Sequence, residues 1–117
     1  MEEITDEEYL AILESNVQEA KKELSAAQKE YDIVIEVVLI EEAKMRSEQF
    51  SLTAIGEPIP DEMEKRHAVQ YADNSALVAP VFKALQTATM KASFARIELL
   101  RVNREQMQSQ QNASDSE

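Results

Sequence analysis

Residues 10–48 read LAILESNVQEAKKELSAAQKEYDIVIEVVLIEEAKMRSE and contain no glycine or proline. Apolar residues recur through them in alternating steps of three and four, at Leu10, Leu13, Val17, Ala20, Leu24, Ala27, Tyr31, Val34, Val38 and Met45. Ten of the twelve positions in this series are apolar, whereas a chain with 44% hydrophobic residues would give about five. Only Glu41 and Glu48 interrupt the series. This heptad pattern predicts a helix over about 6–48 whose apolar series faces a partner helix.

The segment from Asp32 to Ile40 permits a second interpretation. It is rich in β-branched residues, which favour strands. No turn residue flanks it, so we expect a helix, and a buried strand stays open as the alternative. In a helix, Ile33, Val37 and Ile40 form a second apolar stripe beside the main series, which is typical of a helix that contacts more than one neighbour.

The ends of the first helix are marked by capping and breaking residues. Thr5 is followed three residues later by Glu8, the spacing of a capping box, so the helix is expected to begin just after Thr5. Gly56 and Pro58 disrupt helices, and they predict a loop over about 49–61.

The second helical region is expected to be interrupted. Asp61 and Glu64 have the spacing of another capping box, which predicts a helix from about residue 62. Pro80 lacks the amide that a helix interior requires, so it either kinks one helix or marks the first turn of a new one. The sequence therefore predicts helices over about 62–78 and 80–108.

The last predicted helix repeats the pattern of the first. Seven of its eight series positions from 81 to 106 are apolar: Val81, Leu85, Ala88, Ala92, Ala95, Leu99 and Val102. A second stripe consists of Phe82, Met90, Phe94 and Ile97. Residues 109–117 are polar, and we expect a flexible tail there.

Charge is distributed unevenly along the chain. Residues 1–48 carry 14 acids and 5 bases, a net charge of −9. Residues 49–79 carry −3, residues 80–108 carry +3 and the remainder carries −2, which together give −11. We expect the acidic and basic helices to pack on each other. Direct binding of nucleic acid is not expected, because nucleic-acid-binding domains are normally basic overall.

Composition excludes several classes of protein. One glycine in 117 residues argues against an all-β fold and against glycine-rich phosphate loops. The absence of cysteine removes disulfides, thiolate metal sites and a cysteine nucleophile. The start Met1-Glu2-Glu3 does not resemble a signal peptide, and the longest apolar run, Val37 to Ile40, is far too short to span a membrane. We therefore expect a cytoplasmic protein without a membrane partner.

The only histidine suggests one metal site. His67 follows Glu64 with the Glu-x-x-His spacing found in di-iron carboxylate bundles. One chain supplies one such pair, so a dimer would be needed to complete the site. We favour a capping role for Glu64 and a solvated His67, with no metal or cofactor, and a dimeric di-metal bundle stays as a hypothesis.

These observations predict an all-α protein: a long, coiled-coil-like antiparallel helical hairpin, with the second helix kinked or broken near 73–80. Each helix then has an apolar stripe left over, and exposed apolar patches mark interfaces. The predicted interface consists of Ile33, Val37, Ile40, Phe82, Met90, Phe94 and Ile97. The expected function is non-enzymatic: protein–protein interaction or assembly, for example as a structural subunit of a larger particle. Its partner would be a second copy or another helical protein. The alternative is an acidic inhibitor that occupies the basic site of a nucleic-acid-binding protein.

Overall fold

The computed structural model consists of two α-helices. It describes the backbone of residues 3–115 and the side chains of residues 3–111. Helix α1 spans Asp6–Ala54 and helix α2 spans Asp61–Asp115. No strand occurs within residues 3–115, so the predicted all-α helical hairpin is confirmed. The alternative of a strand over 32–40 is wrong, because these residues lie inside α1.

The start of α1 is capped as the sequence predicts. The Glu8 amide donates a hydrogen bond to Thr5 Oγ1 at 3.1 Å, and the Tyr9 amide donates to the Thr5 carbonyl at 2.9 Å. Thr5 is therefore the N-cap. Its side chain satisfies one of the amides that have no partner in the first turn.

The start of α2 differs by one residue from the prediction. The amides of Met63 and Glu64 donate to the Pro60 carbonyl at 3.0 and 3.1 Å, so the helix begins at Asp61 rather than at residue 62. Pro60, not Asp61, occupies the N-cap position. Asp61 is instead one of the acids of the first turn, where the helix dipole favours negative charge.

The end of α1 is set by Gly56 rather than by the residues before it. The Glu57 amide donates to the Leu52 carbonyl at 3.0 Å, and the Gly56 amide donates to the Thr53 carbonyl at 3.1 Å. Gly56 has a φ of 78°, in the left-handed region. These are the two hydrogen bonds of a Schellman motif with glycine at its usual place. The predicted loop over 49–61 is therefore shortened to residues 55–60.

Helix α2 continues through Pro80. The predicted division into helices over 62–78 and 80–108 is wrong, since one helix spans both ranges. Pro80 has no amide to donate to the carbonyl of Ala76, and its ring crowds that turn. The turn is nevertheless helical, and Val78 and Val81 on either side of Pro80 are half-buried. A kink at this position stays a prediction.

The end of α2 also lies beyond the predicted boundary. Residues 109–115 are helical, where the sequence predicted a polar tail. After Pro80 the chain contains no glycine or proline, so nothing stops the helix at residue 108. The last two residues of the predicted tail, 116 and 117, lie outside the described part of the chain.

The chain divides into two compact units, each made of segments from both helices. Unit 1 comprises the residues up to Ala26 and those from Gln86 onwards. Its two segments are antiparallel: the Tyr9 hydroxyl donates to Glu98 Oε1 at 3.3 Å, and Lys91 Nζ lies 2.8 Å from Glu23 Oε2. The Lys91–Glu23 ion pair is of the kind predicted from the charge distribution. The core of unit 1 is formed by the buried Leu13, Val17, Ala20, Ala88 and Val102.

Unit 2 comprises Ala27–Leu85 and includes the loop between the helices. Its segments are also antiparallel. The rings of Tyr31 and Phe82 have centroids 6.2 Å apart, and the Arg66 guanidinium lies 2.7 Å from Glu48 Oε2. Its buried residues are Val38, Met45, His67 and Asn74, so half of them are polar.

The apolar series predicted from the sequence, here called the seam of each helix, is the buried face. All ten apolar seam residues of α1 are buried or half-buried. The same is true of all seven apolar seam residues of α2 from Val81 to Val102. The heptad pattern therefore identifies which residues pack within each unit.

Candidate functional site

The seam of α2 becomes polar in unit 2. Continuing the seam backwards from Val81 leads to the buried or half-buried Val78, Asn74, Gln70 and His67. The seam of α1 carries its only two charged residues, Glu41 and Glu48, in the same unit. Together they form a cluster across the helix pair. We call it the polar layer, and its members are Glu41, Glu48, Gln49, Arg66, His67, Gln70 and Asn74.

His67 is the centre of the first half of the polar layer. Its side chain is buried, with 3% of the residue exposed. Its Nδ1 lies 2.9 Å from Gln49 Nε2, and its Nε2 lies 3.1 Å from Glu48 Oε2. Because an amide nitrogen donates, Nδ1 accepts, and Nε2 then carries the proton that is donated to Glu48. This differs from the prediction of a solvated His67: the residue lies on the seam, where α1 covers it.

Glu48 links the buried histidine to a surface cation. The hydrogen bond from His67 lowers the pKa of the Glu48 carboxyl below its usual range. Desolvation opposes this shift, and the positive charge of Arg66 adds to it. Both Glu48 and Arg66 are well exposed, so their ion pair contributes little to stability. The main effect of Glu48 is to accept the hydrogen bond of His67.

The second half of the polar layer is the chain Glu41–Gln70–Asn74. Gln70 Nε2 donates to Glu41 Oε2 at 2.7 Å and to Asn74 Oδ1 at 2.9 Å. Asn74 is only 1% exposed, and its Nδ2 has no hydrogen-bond partner among the described residues. A buried donor without an acceptor costs about 1–3 kcal/mol.

A polar layer of this kind selects one pairing of the two helices. Sliding one helix along the other would place Glu41 or His67 against apolar seam residues, where its hydrogen bonds would be lost. A single buried polar residue on a helix seam fixes register in the same way, at a cost in stability. The arrangement therefore provides specificity of packing and contains no nucleophile paired with a base.

The two residues of the hypothetical dimeric metal site, Glu64 and His67, differ in burial: Glu64 is exposed and His67 is buried. Both ring nitrogens of His67 contact side chains of α1, and the exposed Glu64 is not one of the partners found. Within the described residues, no group of three or more histidine, aspartate or glutamate side chains is placed to hold a metal ion. The dimeric di-metal site stays a hypothesis.

The seven residues of the predicted interface are all exposed, by 46% to 64%. Six of them form two stripes with the same spacing of four and then three residues. Ile33, Val37 and Ile40, here called the α1 stripe, lie in unit 2. Met90, Phe94 and Ile97, here called the α2 stripe, lie in unit 1. Phe82 belongs to neither stripe, because its ring packs near Tyr31.

Cations surround the end of the α2 stripe. A shallow groove of about 250 Å³ is lined by Ile97, Leu100, Arg101 and Arg104. Arg101 is bound on its own helix by Glu98 and by Glu105, the latter at 2.7 Å. Arg96 and Arg104 have no ion pair within the described residues. The outer face of α2 in unit 1 therefore combines exposed apolar side chains with unpaired positive charge.

Comparisons with known proteins give no further indication of function. No protein-family model matches the chain, and searches of curated proteins and of solved structures found no match. Among the described residues, neither helix contains a segment long and apolar enough to cross a membrane. The features of the chain that bear on its function are therefore the polar layer and the two stripes.

Replacing Asn74 with leucine is expected to raise the free energy of unfolding by about 1 kcal/mol. The change removes the buried Nδ2 that has no acceptor. It also removes Asn74 Oδ1, but Gln70 Nε2 keeps its hydrogen bond to Glu41. A groove beside Asn74, lined also by Val38, Val78 and Phe82, has room for the added methyl groups. Urea denaturation followed by circular dichroism measures the change. Asn74→Asp is the matched control and is expected to destabilise, because it puts a carboxylate at the same buried place. Equal losses for both variants would contradict the assignment of an unsatisfied amide.

Proposed function

We propose that this protein is a non-enzymatic helical interaction protein that acts in assembly, by association with a second copy or with another helical protein. The observation that carries the proposal is the exposure of the α1 and α2 stripes. Each consists of three large apolar side chains on one face of a helix, and each of the six is 49% to 64% exposed. Exposed apolar patches of this kind mark sites of protein–protein contact.

The size of the stripes supports an assembly that uses both of them. Full burial of one large aliphatic or aromatic side chain contributes about 1.5–3 kcal/mol. Association itself costs about 4–15 kcal/mol in lost freedom of motion. One stripe of three residues, already partly covered, supports only weak binding on this scale. Burial of both stripes of each copy brings the apolar contribution into the range of this cost.

The polar layer, which lies between the two helix segments of unit 2, supports the same proposal. The α1 stripe must keep one position relative to the α2 segment of its own unit, and this requires one register between the two segments of unit 2. Hydrogen bonds from Gln70 to Glu41, and between His67 and Glu48, oppose a slip of α2 along α1 in unit 2. The cluster thus has a structural role that an assembly component needs.

Replacing Val37 with glutamate tests the proposal. Val37 lies at the centre of the α1 stripe and is 49% exposed, so the variant is expected to fold. Its association is expected to weaken about hundredfold or more, because a carboxylate replaces an apolar side chain at the centre of the interface and loses its hydration there. The measurement is mass by light scattering over a dilution series, with helicity by circular dichroism on the same samples.

The matched control is Val69→Glu. Val69 is also an exposed valine of unit 2, but it lies on α2 and outside both stripes. It is expected to leave the mass unchanged. If Val37→Glu associates as tightly as the wild-type chain, or if both variants weaken association equally, the α1 stripe is not an interface and the proposal fails.

A further inference from the structure

We propose that the α1 stripe of one copy docks on the α2 stripe of a second copy. The inference rests on the proposed function and specifies its partner: an acidic amphipathic helix, supplied by another molecule of the same chain. It joins unit 2 of one copy to unit 1 of the other. Three features support it: the spacing of the two stripes, their opposite charge and the groove at the end of the α2 stripe.

The two stripes have matching geometry. Ile33, Val37 and Ile40 follow one another in steps of four and three, and so do Met90, Phe94 and Ile97. Two helices with this spacing interlock their side chains at a crossing angle of about 20°. Both stripes contain only exposed residues, so docking requires no change in the packing of either unit.

The charges around the two stripes are opposite and equal. Residues 29–44, which surround the α1 stripe, carry five acids and two bases, a net charge of −3. Residues 86–104, which surround the α2 stripe, carry four bases and one acid, a net charge of +3. Pairing a stripe with its own copy would bring like charges together, which disfavours that contact. Pairing the α1 stripe with the α2 stripe brings opposite charges together.

The groove on α2 shows where an acidic helix fits best. Its lining combines the apolar Ile97 and Leu100 with the guanidinium groups of Arg101 and Arg104. On α1, Glu36 lies three residues after Ile33 and four before Ile40, so it shares their face of the helix. An isoleucine of the α1 stripe can therefore enter the groove while Glu36 reaches the unpaired Arg104. Glu30 is placed in the same way, three residues before Ile33.

The contact is heterologous, because two different surfaces meet. Such a contact closes if two copies exchange it reciprocally, and otherwise it continues into a ring or a filament. Both outcomes use the same residues. The number of copies in the assembly therefore depends on how successive contacts are oriented. The experiment tests the contact between the two stripes.

Charge reversal on each side tests the pairing. One variant carries Glu30→Arg and Glu36→Arg, and the other carries Arg96→Glu and Arg104→Glu. All four residues are exposed, so circular dichroism is expected to show unchanged helicity. Each variant alone is expected to associate at least roughly tenfold more weakly than the wild-type chain. An equimolar mixture of the two is expected to recover association to within roughly threefold, because the reversed charges are again complementary.

The control variant carries Glu57→Arg and Glu62→Arg, which change the net charge by the same amount as the first variant but lie away from both stripes. It is expected to associate as the wild-type chain does. Recovery in the mixture, with no effect of the control, confirms the inference. If both variants weaken association but the mixture does not recover, the reversed residues of the two copies do not face each other and the inference is overturned.

The remaining outcomes separate the inference from the proposed function. If the charge variants associate normally while Val37→Glu does not, the α1 stripe is an interface but the α2 stripe is not its partner, and only the inference fails. If the wild-type chain is a monomer at every concentration, docking between copies is overturned. Binding of that monomer to vesicles of anionic phospholipid, lost in the Arg96→Glu and Arg104→Glu variant, would assign the basic face of α2 to a membrane surface instead.

Discussion

Replacing Val38 with glutamate is expected to unfold unit 2. Val38 lies on the seam of α1, is only 6% exposed, and packs in the unit that contains His67 and Asn74. A carboxylate at this place has no cation beside it on the seam, and leaving a buried charge without a partner costs about 3–5 kcal/mol. This is a large fraction of the stability of a domain of this size. Urea denaturation followed by circular dichroism measures the loss.

The neighbouring valine provides the matched control for this experiment. Val37→Glu makes the same chemical change one residue away, at a side chain that is 49% exposed. It is expected to reduce association but to keep the helicity of the monomer. Both variants must be compared at one low protein concentration, since association stabilises the folded state by mass action. If Val38→Glu keeps its stability to within about 1 kcal/mol, the seam is assigned to the wrong face of α1.

Replacing Pro80 with alanine is expected to stabilise the protein by about 1–3 kcal/mol. Pro80 lies inside α2, where a proline removes one backbone hydrogen bond and its ring crowds the preceding turn. Alanine restores the amide that donates to the carbonyl of Ala76. Thermal denaturation at fixed concentration is expected to show a higher midpoint, with helicity at least equal to that of the wild-type chain.

Pro58→Ala is the control for the effect of proline itself. Pro58 lies in the loop between the helices, where it restricts the unfolded chain and disturbs no helix. Its replacement is expected to leave stability unchanged or to lower it slightly. A clear loss of stability in Pro80→Ala would contradict the expectation. It would mean that the proline holds a bend that the packing of Val78 and Val81 requires.

The buried face of each helix could be predicted from the sequence because it depends on spacing alone. In a helix, residues three and four apart share a face, whatever the partner is. The apolar series from Leu10 to Met45 therefore identified the packed side of α1, and that from Val81 to Val102 identified the packed side of α2. The exposed positions of Ile33, Val37 and Ile40 followed from the same geometry.

The ends and breaks of the helices were predicted less well, because competing local effects had to be weighed. The predicted end of α1 lies six residues before the observed end. The prediction assigned a broad loop around Gly56, whereas the helix continues up to the turn that this glycine forms. A break at Pro80 was expected from the local cost of proline. The helix nevertheless continues through Pro80, and the seam residues on both sides of it are half-buried against the partner helix.

The polar layer was missed for a different reason. Glu41 and Glu48 were visible as interruptions of the α1 seam, and His67 was visible as the only histidine. Nothing in a single sequence says which residues of α2 lie opposite them. The relevant indication was that the α2 seam, extended back from Val81 in steps of three and four, reaches Asn74, Gln70 and His67. Because this part of the α2 seam is polar, it cannot be recognised from a series of apolar residues.

What the sequence by itself determined is the helical state, the packed face and the surplus of apolar residues on other faces. These follow from short-range periodicity, which needs only the geometry of one helix. Only the tertiary structure decided that His67 is buried against Glu48 and Gln49, that Asn74 keeps an amide without an acceptor, and that Pro80 stays within α2. Each of these depends on which residues of the other helix lie opposite, and register between two helices is set by side-chain pairs far apart in the chain.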